Sequence, residues 1–348
     1  MKTVVIAGAS GFIGAHFRRA FAAEGWQVRT VGRNGSTADA VWGETDAISA
    51  MLEGADLLVN LAGKSVSCRY TPANKAQIVR SRTETTAELG RAVAACATPP
   101  RDWFNASTGT IYRDARDRPQ DEDDGEPGSG FSVEVAQGWE ETLAAADTPA
   151  TRRIPLRISI VMGPGGGVMR PFNNLARLGL GGRMGDGEQK FSWVHVDDVF
   201  RAVLFLHEHR SIEGPVNIAA PEVASNAALM AAVRRVCRVP FGLPTPAWLL
   251  TLGAVLIRTQ TELVLKSRWV SSRKLDDAGF KWTFPTLDGA LADLAGHRAG
   301  QPGTVEASWP GTTTPRIRPP AGPVPDTRPH MLTRRTGWTA GPRKTPSA

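Results

Sequence analysis

Apolar and polar positions alternate in blocks along most of this chain. Thr3–Ala7, Leu57–Leu61 and Leu156–Val161 are short runs rich in Val, Ile and Leu, with Gln27–Val31 a further strand candidate after the first. Such runs suit strands buried on both faces. Shorter runs at Ala40–Trp42, Trp103–Ala106 and Val216–Ala219 read the same way. Between them lie stretches with helical spacing: Phe12–Ala23, Asp46–Leu52, Ala73–Ala97 (stopped by Pro99-Pro100), Val133–Ala146, Val196–His209 and Asn226–Cys237. A strand–helix alternation of this kind predicts an α/β fold, a doubly wound parallel sheet with helices on both faces.

The first strand runs into Gly8, Gly11 and Gly14, with Ser10, Phe12 and Ile13 between and after them. A strand, a glycine turn and a helix start are the kit for holding a pyrophosphate. The first glycine permits the turn, the second lets phosphate approach the backbone, and the third lets helix and strand pack closely. Dinucleotide sites of the NAD type place a carboxylate at the tip of the second strand, where it holds a ribose hydroxyl. Here that tip is Gly32-Arg33-Asn34. A guanidinium pairs with a 2′-phosphate that a carboxylate would repel, so the expected cofactor is NADP(H) rather than NAD(H). The competing reading makes Arg33 an ordinary solvated loop residue. Leu61-Ala62-Gly63, at the next strand end, is expected beside the adenosine and ribose.

Beyond Gly163 the glycines cluster and the elements shorten. The expected organisation is a nucleotide-binding domain over 1–163 with strands returning from 190–220, a substrate-side α/β region over 164–295, and a tail over 296–348. The tail holds ten prolines and no apolar period, so it reads as disordered. It also changes the meaning of the net charge of +7. Eight Lys/Arg against two Asp/Glu from Gly296 onward put +6 there, leaving about +1 for everything else. A nearly neutral body and a tail whose arginines have no stacking pattern of aromatics interleaved with them argue against a specific nucleic-acid partner. Three cysteines without pairing or metal-type spacing suggest a reducing compartment. The longest apolar segment, Trp248–Ile257, is about half the length needed to span a bilayer. With no leader ahead of the first strand, the expected location is cytoplasmic and no membrane partner is expected.

The motifs, taken in order, resemble one superfamily. GASGFIG at 8–14 with its preceding strand, NLAG at 60–63, LRISIVMGPGG at 156–166 and WVHVDDV at 193–199 are similar to the extended short-chain dehydrogenases/reductases. SRTETT at 81–86, PFNNLARLGLGG at 171–182 and GPVNIAAPE at 214–222 resemble its atypical "epimerase family" branch, which carries its own uncharacterised C-terminal domain, here at about 241–294. The resemblance covers about residues 1–295. It implies a Rossmann-type fold, NADP(H) binding, a small-molecule substrate of unknown identity, and a monomer or homodimer.

Typical members use a Tyr-x-x-x-Lys pair, the lysine lowering the tyrosine's pKa so that the phenol exchanges a proton with substrate. This chain has two tyrosines, Tyr70 and Tyr112, followed four residues later by Asn74 and Arg116. Aligning the helix that ends in Trp139-Glu140 puts Ser132 and Ala136 where the pair belongs. The remaining hydroxyl candidates are Ser107 and Thr108 at a strand end, with Tyr112 as a loop proton donor or, alternatively, a packed lid residue. His195, Asp197 and Asp198 lack metal-site spacing and suit a helix start, so no metal is expected. Arg157, on a buried strand, is expected to pair with a carboxylate. Arg183, Gln189 and Lys190, flanking a glycine-rich loop, are either substrate-cleft groups or solvated loop residues. Lys75, Arg80 and Arg82 are spaced too widely for a phosphate cluster. Two functions remain: a reductase or epimerase-like enzyme with a non-standard proton donor, and an NADP(H)-binding sensor or scaffold without turnover.

Overall fold

The computed structural model describes residues 1–164, 166–245 and 266–296. The apolar segment Trp248–Ile257 and the tail from 297 onward lie outside the described residues. Thr3–Ala7 (β1), Gln27–Gly32 (β2), Ala40–Val41 (β3), Leu57–Asn60 (β4), Asp102–Thr108 (β5), Arg152–Ile158 (β6) and a later strand, Val216–Ile218, form one sheet. Its spatial order is Val216–Ile218, β6, β5, β4, β1, β2, β3, and every pairing in it is parallel. The chain moves outward from β1 through β2 and β3, then returns to lay β4 on the other side of β1. That reversal opens a crevice at the carboxyl ends of β1 and β4, the place where doubly wound folds bind ligands.

The strands bury alternate residues on opposite faces, which the period of two demands. Val4 and Ile6 point into a core shared with Phe17 and Phe21 of helix α1 (Phe12–Ala23). Val5 and Ala7 point into a second core with Ile48 and Leu52 of α2 (Thr45–Leu52) and Leu89 of α3 (Pro72–Ala94). Helix α3 begins where Thr71 accepts a hydrogen bond from Asn74 N at 3.2 Å and Pro72 occupies the first turn. That is a favourable helix start, since proline has no N–H to leave unpaired there. Helix α4 spans Phe131–Ala144.

One expected strand divides. The run Leu156–Val161 predicts one continuous strand, but β6 ends at Ile158 and a new strand, β7 (Ile160–Gly163), begins after Ser159. Ser159 N still bonds Ile218 O in the main sheet, whereas Ile160 N bonds Ser192 O. The apolar run is unbroken because both strands are covered by other elements, and only the pairing partner changes. Strand β7 joins a small sheet with Gly166–Gly167 (β8) and Trp193–His195 (β10), while Lys190–Phe191 (β9) pairs antiparallel with Ala224–Ser225 (β12). Of the strands expected to return from 190–220, Val216–Ile218 (β11) rejoins the main sheet. The third core lies among α5 (Met169–Arg177), α7 (Asn226–Cys237) and the last helix, α9 (Leu287–Gly296). Helix α6 (Val196–Glu208) covers the same sheet face as α1, and α8 is the short Arg273–Asp277.

Candidate functional site

Each of the three N-terminal glycines meets a different demand. Gly8 has φ of +83°, a left-handed conformation that favours glycine. A Cβ there would also lie 2.8 Å from Ala62 N and from Leu61 C. A Cβ on Gly14 would lie 2.8 Å from Ala9 Cα and press on Gly8 O. Gly11 has no such crowding beyond Gly8 O at 3.4 Å, and it is exposed with Ser10. Helix α1 starts at Gly11 without a side-chain cap and with no acidic residue in its first turn. Its opening therefore keeps free N–H groups and the positive end of the helix dipole. The residues fit a diphosphate. Phe12, also expected here, spends its ring elsewhere: a Cβ on Gly163 would lie 2.8 Å from it, and one on Gly166 would overlap it outright.

Arg33 is exposed past the end of β2 and, among the described residues, has no ion pair. At the tip of β4 a buried network sets the chain's path. Asn60 donates to Asn105 Oδ1 at 2.7 Å and to Thr86 Oγ1 at 3.1 Å, and its own Oδ1 accepts from Ala62 N at 3.0 Å. The Trp139 indole donates to the same Thr86 oxygen at 2.9 Å. This network holds Leu61, Ala62 and Gly63 beside Gly8.

The hydroxyl candidates divide. Ser107 on β5, Arg157 on β6 and Asn217 on β11 stand opposite one another in register. Ser107 is 5% exposed and donates to Glu140 Oε1 at 2.6 Å. Arg157 grips that carboxylate with two bonds, Nε to Oε1 at 2.9 Å and Nη2 to Oε2 at 2.8 Å. The expected carboxylate partner of Arg157 is thus Glu140. Burial alone would lower the Arg157 pKa, but Glu140 outweighs it and raises the value. Tyr112 is 3% exposed; its hydroxyl accepts from Arg157 Nη1 and donates to Asn217 Oδ1, both at 2.9 Å. Burial raises its pKa against the opposing pull of Arg157. Thr108 is only partly buried, donating to Thr110 Oγ1 at 3.1 Å and accepting from Thr110 N at 3.2 Å.

Gln189 is buried and donates to Met184 O at 2.9 Å, closing the glycine-rich loop on itself. The Lys190 amine lies 4.9 Å from the Trp269 ring centroid, and Arg183 is exposed, its carbonyl accepting from Thr245 N at 2.9 Å. The three are brought together around β9, β12 and residues 266–269. His195 caps α6 by accepting from Asp197 N at 3.3 Å, and Asp198 accepts from Thr283 N and Phe284 N, both at 2.8 Å. Among the described residues no group of three His, Cys, Asp or Glu side chains is placed to hold a metal. None of the described helices is long and apolar enough to cross a membrane. The residue that sequence reasoning passed over is Glu140. Its only signal was the unassigned partner of Arg157.

Residues 4–219 match the NAD dependent epimerase/dehydratase family, and residues 245–294 match a domain of unknown function, DUF1731. The epimerase family protein SDR39U1 of Homo sapiens is 31% identical over 302 residues, covering 84% of this chain and 99% of that protein. The epimerase family protein ML0860 of Mycobacterium leprae is 33% identical over 298 residues, 83% of this chain and 94% of that one. The crystal structure of human SDR39U1 (isoform 2) with NADPH superposes with a TM-score of 0.76 at 28% identity, over 84% of this chain and 99% of that one. A Rossmann-like parallel sheet, the N-terminal glycine turn and these matches agree: the chain belongs to the NAD dependent epimerase/dehydratase family, in company with the epimerase family proteins.

Proposed function

We propose that the protein binds NADP(H) at the carboxyl ends of β1, β2 and β4 and acts on a small-molecule substrate as a reductase or epimerase-like enzyme. The observation that carries the reading is the uncapped start of α1 behind the close-packed Gly8–Gly14 turn, with the unpaired Arg33 at the tip of β2. The NADPH held by the human relative supports the choice of cofactor. Backbone N–H groups from Phe12 to Gly14 would hold the diphosphate, and Arg33 the 2′-phosphate. A bound nicotinamide supplies hydride chemistry. This chain's own residues must then orient the substrate and move a proton.

For that task Thr108 is the best-placed hydroxyl, because it is only partly buried and its proton goes to another hydroxyl, Thr110 Oγ1, whereas Ser107 and Tyr112 are buried and donate to Glu140 and Asn217. Tyr112, with its raised pKa and two fixed partners, serves this reading as a post that holds Arg157 and Asn217. Arg183, Gln189 and Lys190 would border the substrate side, Gln189 by shaping the loop. The absence of a Tyr-x-x-x-Lys pair and the occupied Tyr112 hydroxyl favour a second reading, an NADP(H)-binding sensor or scaffold without turnover.

Titration of the full chain with NADPH, followed by fluorescence, tests the binding step. Oxidation of bound NADPH across a panel of carbonyl compounds and nucleotide sugars then separates the readings. Turnover that Thr108→Val abolishes while sparing affinity supports the enzyme. Absence of NADPH binding removes both.

A further inference from the structure

Met1 and Val79 apart, the large apolar side chains exposed among the described residues collect at one place. Leu178 and Leu180, past the end of α5, are 73% and 40% exposed, and Phe241 and Leu243, beyond α7, are 64% and 59% exposed. The two segments run side by side. Leu243 N donates to Gly179 O at 2.8 Å, and Gly182 N donates to Leu243 O at 3.2 Å. A Cβ on Gly242 would lie 2.6 Å from Gly182 N, and one on Gly179 would lie 3.4 Å from the Phe241 ring. Backbone meets backbone on the inner side of this pair, and the leucines and the phenylalanine form an outer rim. Single exposed leucines need no explanation, whereas a contiguous apolar rim marks a surface that meets something.

The border of the rim is cationic. Arg177 directly precedes Leu178, and Arg234, Arg235 and Arg238 stand at the end of α7, shortly before Phe241. The last three, with Ala231, Val239 and Pro240, line a cavity of about 520 Å³. Arg234 reaches back to Gly181 O, and Arg235 meets Asp288 Oδ1 at 2.5 Å. Arg177 and Arg238 have no carboxylate within ion-pair distance among the described residues. Cations in the last turn answer the helix dipole, which accounts for Arg177, Arg234 and Arg235. Arg238 needs more. It holds φ of +57°, the left-handed cap conformation that suits glycine, and no other described non-glycine residue has a positive φ. An arginine is kept there at a backbone cost.

We propose that this rim is a docking surface for an anionic lipid bilayer. Leu178, Leu180, Phe241 and Leu243 enter the boundary between headgroups and acyl chains, and the arginines meet lipid phosphates. Apolar side chains bordered by arginines are the composition of an interfacial surface, and each arginine held near an anionic bilayer adds attraction. A second copy of the chain fits less well, because an isologous contact would set arginine against arginine. The contact is peripheral, in keeping with described helices too short or too polar to cross a membrane. A spanning segment would show in the sequence; a rim assembled from two distant segments does not. No part of this surface depends on the identity of the cofactor.

Full-length wild type, the double variant Phe241→Ser/Leu243→Ser, Leu178→Ser and Arg238→Gly are co-sedimented with vesicles at low and high salt. The vesicles are phosphatidylcholine alone or phosphatidylcholine mixed with phosphatidylglycerol. The basic tail is present in every variant, so differences between them report the rim. Wild type should prefer the anionic vesicles; the double variant should bind them about tenfold more weakly and Leu178→Ser about threefold. Arg238→Gly should lose about fivefold at low salt, with Tm unchanged or raised because glycine suits the left-handed cap. At high salt charge attraction is screened, and only the serine variants should remain weaker than wild type. If a serine variant fails to fold, Arg238→Gly carries the test. Failure of wild type to bind the anionic vesicles overturns the proposal. So does equal binding by wild type and every variant, which would leave the tail as the attachment. A wild-type dimer in sedimentation equilibrium that the double variant dissolves, with vesicles unbound, also overturns it and makes the rim a contact between copies.

Discussion

Glu140 joins the helix α4 to the row Ser107–Arg157–Asn217, and its removal should be felt as a loss of stability. Its carboxylate accepts three hydrogen bonds, one from Ser107 and two from Arg157. Both partners of the ion pair are 15% exposed, so water screens the pair only in part. Breaking such a pair by removing one member costs about 3–5 kcal/mol when buried, because the other charge is left behind. With some water access, about 3 kcal/mol is expected for Glu140→Gln and a similar figure for Arg157→Met. In a chain of this size ~2 °C accompanies each kcal/mol, which puts the melting temperature down by about 6 °C. Urea unfolding of both single variants and of the double variant forms the cycle. The double variant should cost less than the sum by about 2 kcal/mol, since the second change removes a charge already orphaned. Single costs below about 1 kcal/mol, or strict additivity, would refute the view that this row is braced electrostatically.

Arg33→Glu should weaken NADPH at least tenfold, about 1.4 kcal/mol, with little change for NADH; equal losses would remove the 2′-phosphate assignment. Gly14→Ala should cost about 1–2 kcal/mol in stability, because forced overlap with Gly8 and Ala9 outweighs alanine's better helix propensity, and should also erode NADPH affinity; an unchanged Tm would contradict the close packing. Tyr112→Phe should lower stability by about 1–3 kcal/mol through the lost partner of Arg157 and Asn217, while NADPH affinity stays put; loss of turnover with unchanged stability would restore Tyr112 as the proton donor. Burial works to raise the Asp102 carboxyl, yet hydrogen bonds from His207 and Arg152 outweigh it and hold the pKa below the ordinary range. Its stabilisation is therefore present above the unfolded value of about 3.9 and lost as pH falls through the lower folded value. Asp102→Asn should be less stable at pH 7 and show a shallower acid decline in urea titrations; identical acid limbs would oppose this.

Local patterns were legible where local physics decided the outcome. Helices at Phe12–Ala23 and Asn226–Cys237 lie where the apolar spacing put them, since each begins at a clear boundary, a glycine turn or the capping Ser225. The break at Ser159 was not legible, because an apolar run carries no record of which neighbour each residue pairs with. The same holds for the site. Glycine roles followed from backbone sterics, and a partner for Arg157 followed from the cost of a lone buried charge. That Glu140 is this partner and that Tyr112 bonds Asn217 both depend on contacts distant in sequence. Hydroxyls that looked equivalent in the sequence became unequal once their partners were known.

The ring of Phe12 gives the nucleotide turn a second owner. Gly163 and Gly166, glycines of the β7–β8 hairpin, form a socket that this side chain fills, and any Cβ on those residues would collide with it. Residues 8–14 therefore cannot be transplanted to another sheet as a self-contained cassette: the graft would carry a bare phenylalanine, and the donor would keep an empty socket. The smallest exchangeable unit is the turn together with residues 163–167, two segments far apart along the chain. Shuffling experiments that recombine halves of related proteins should join them across a boundary that keeps this pair from one parent.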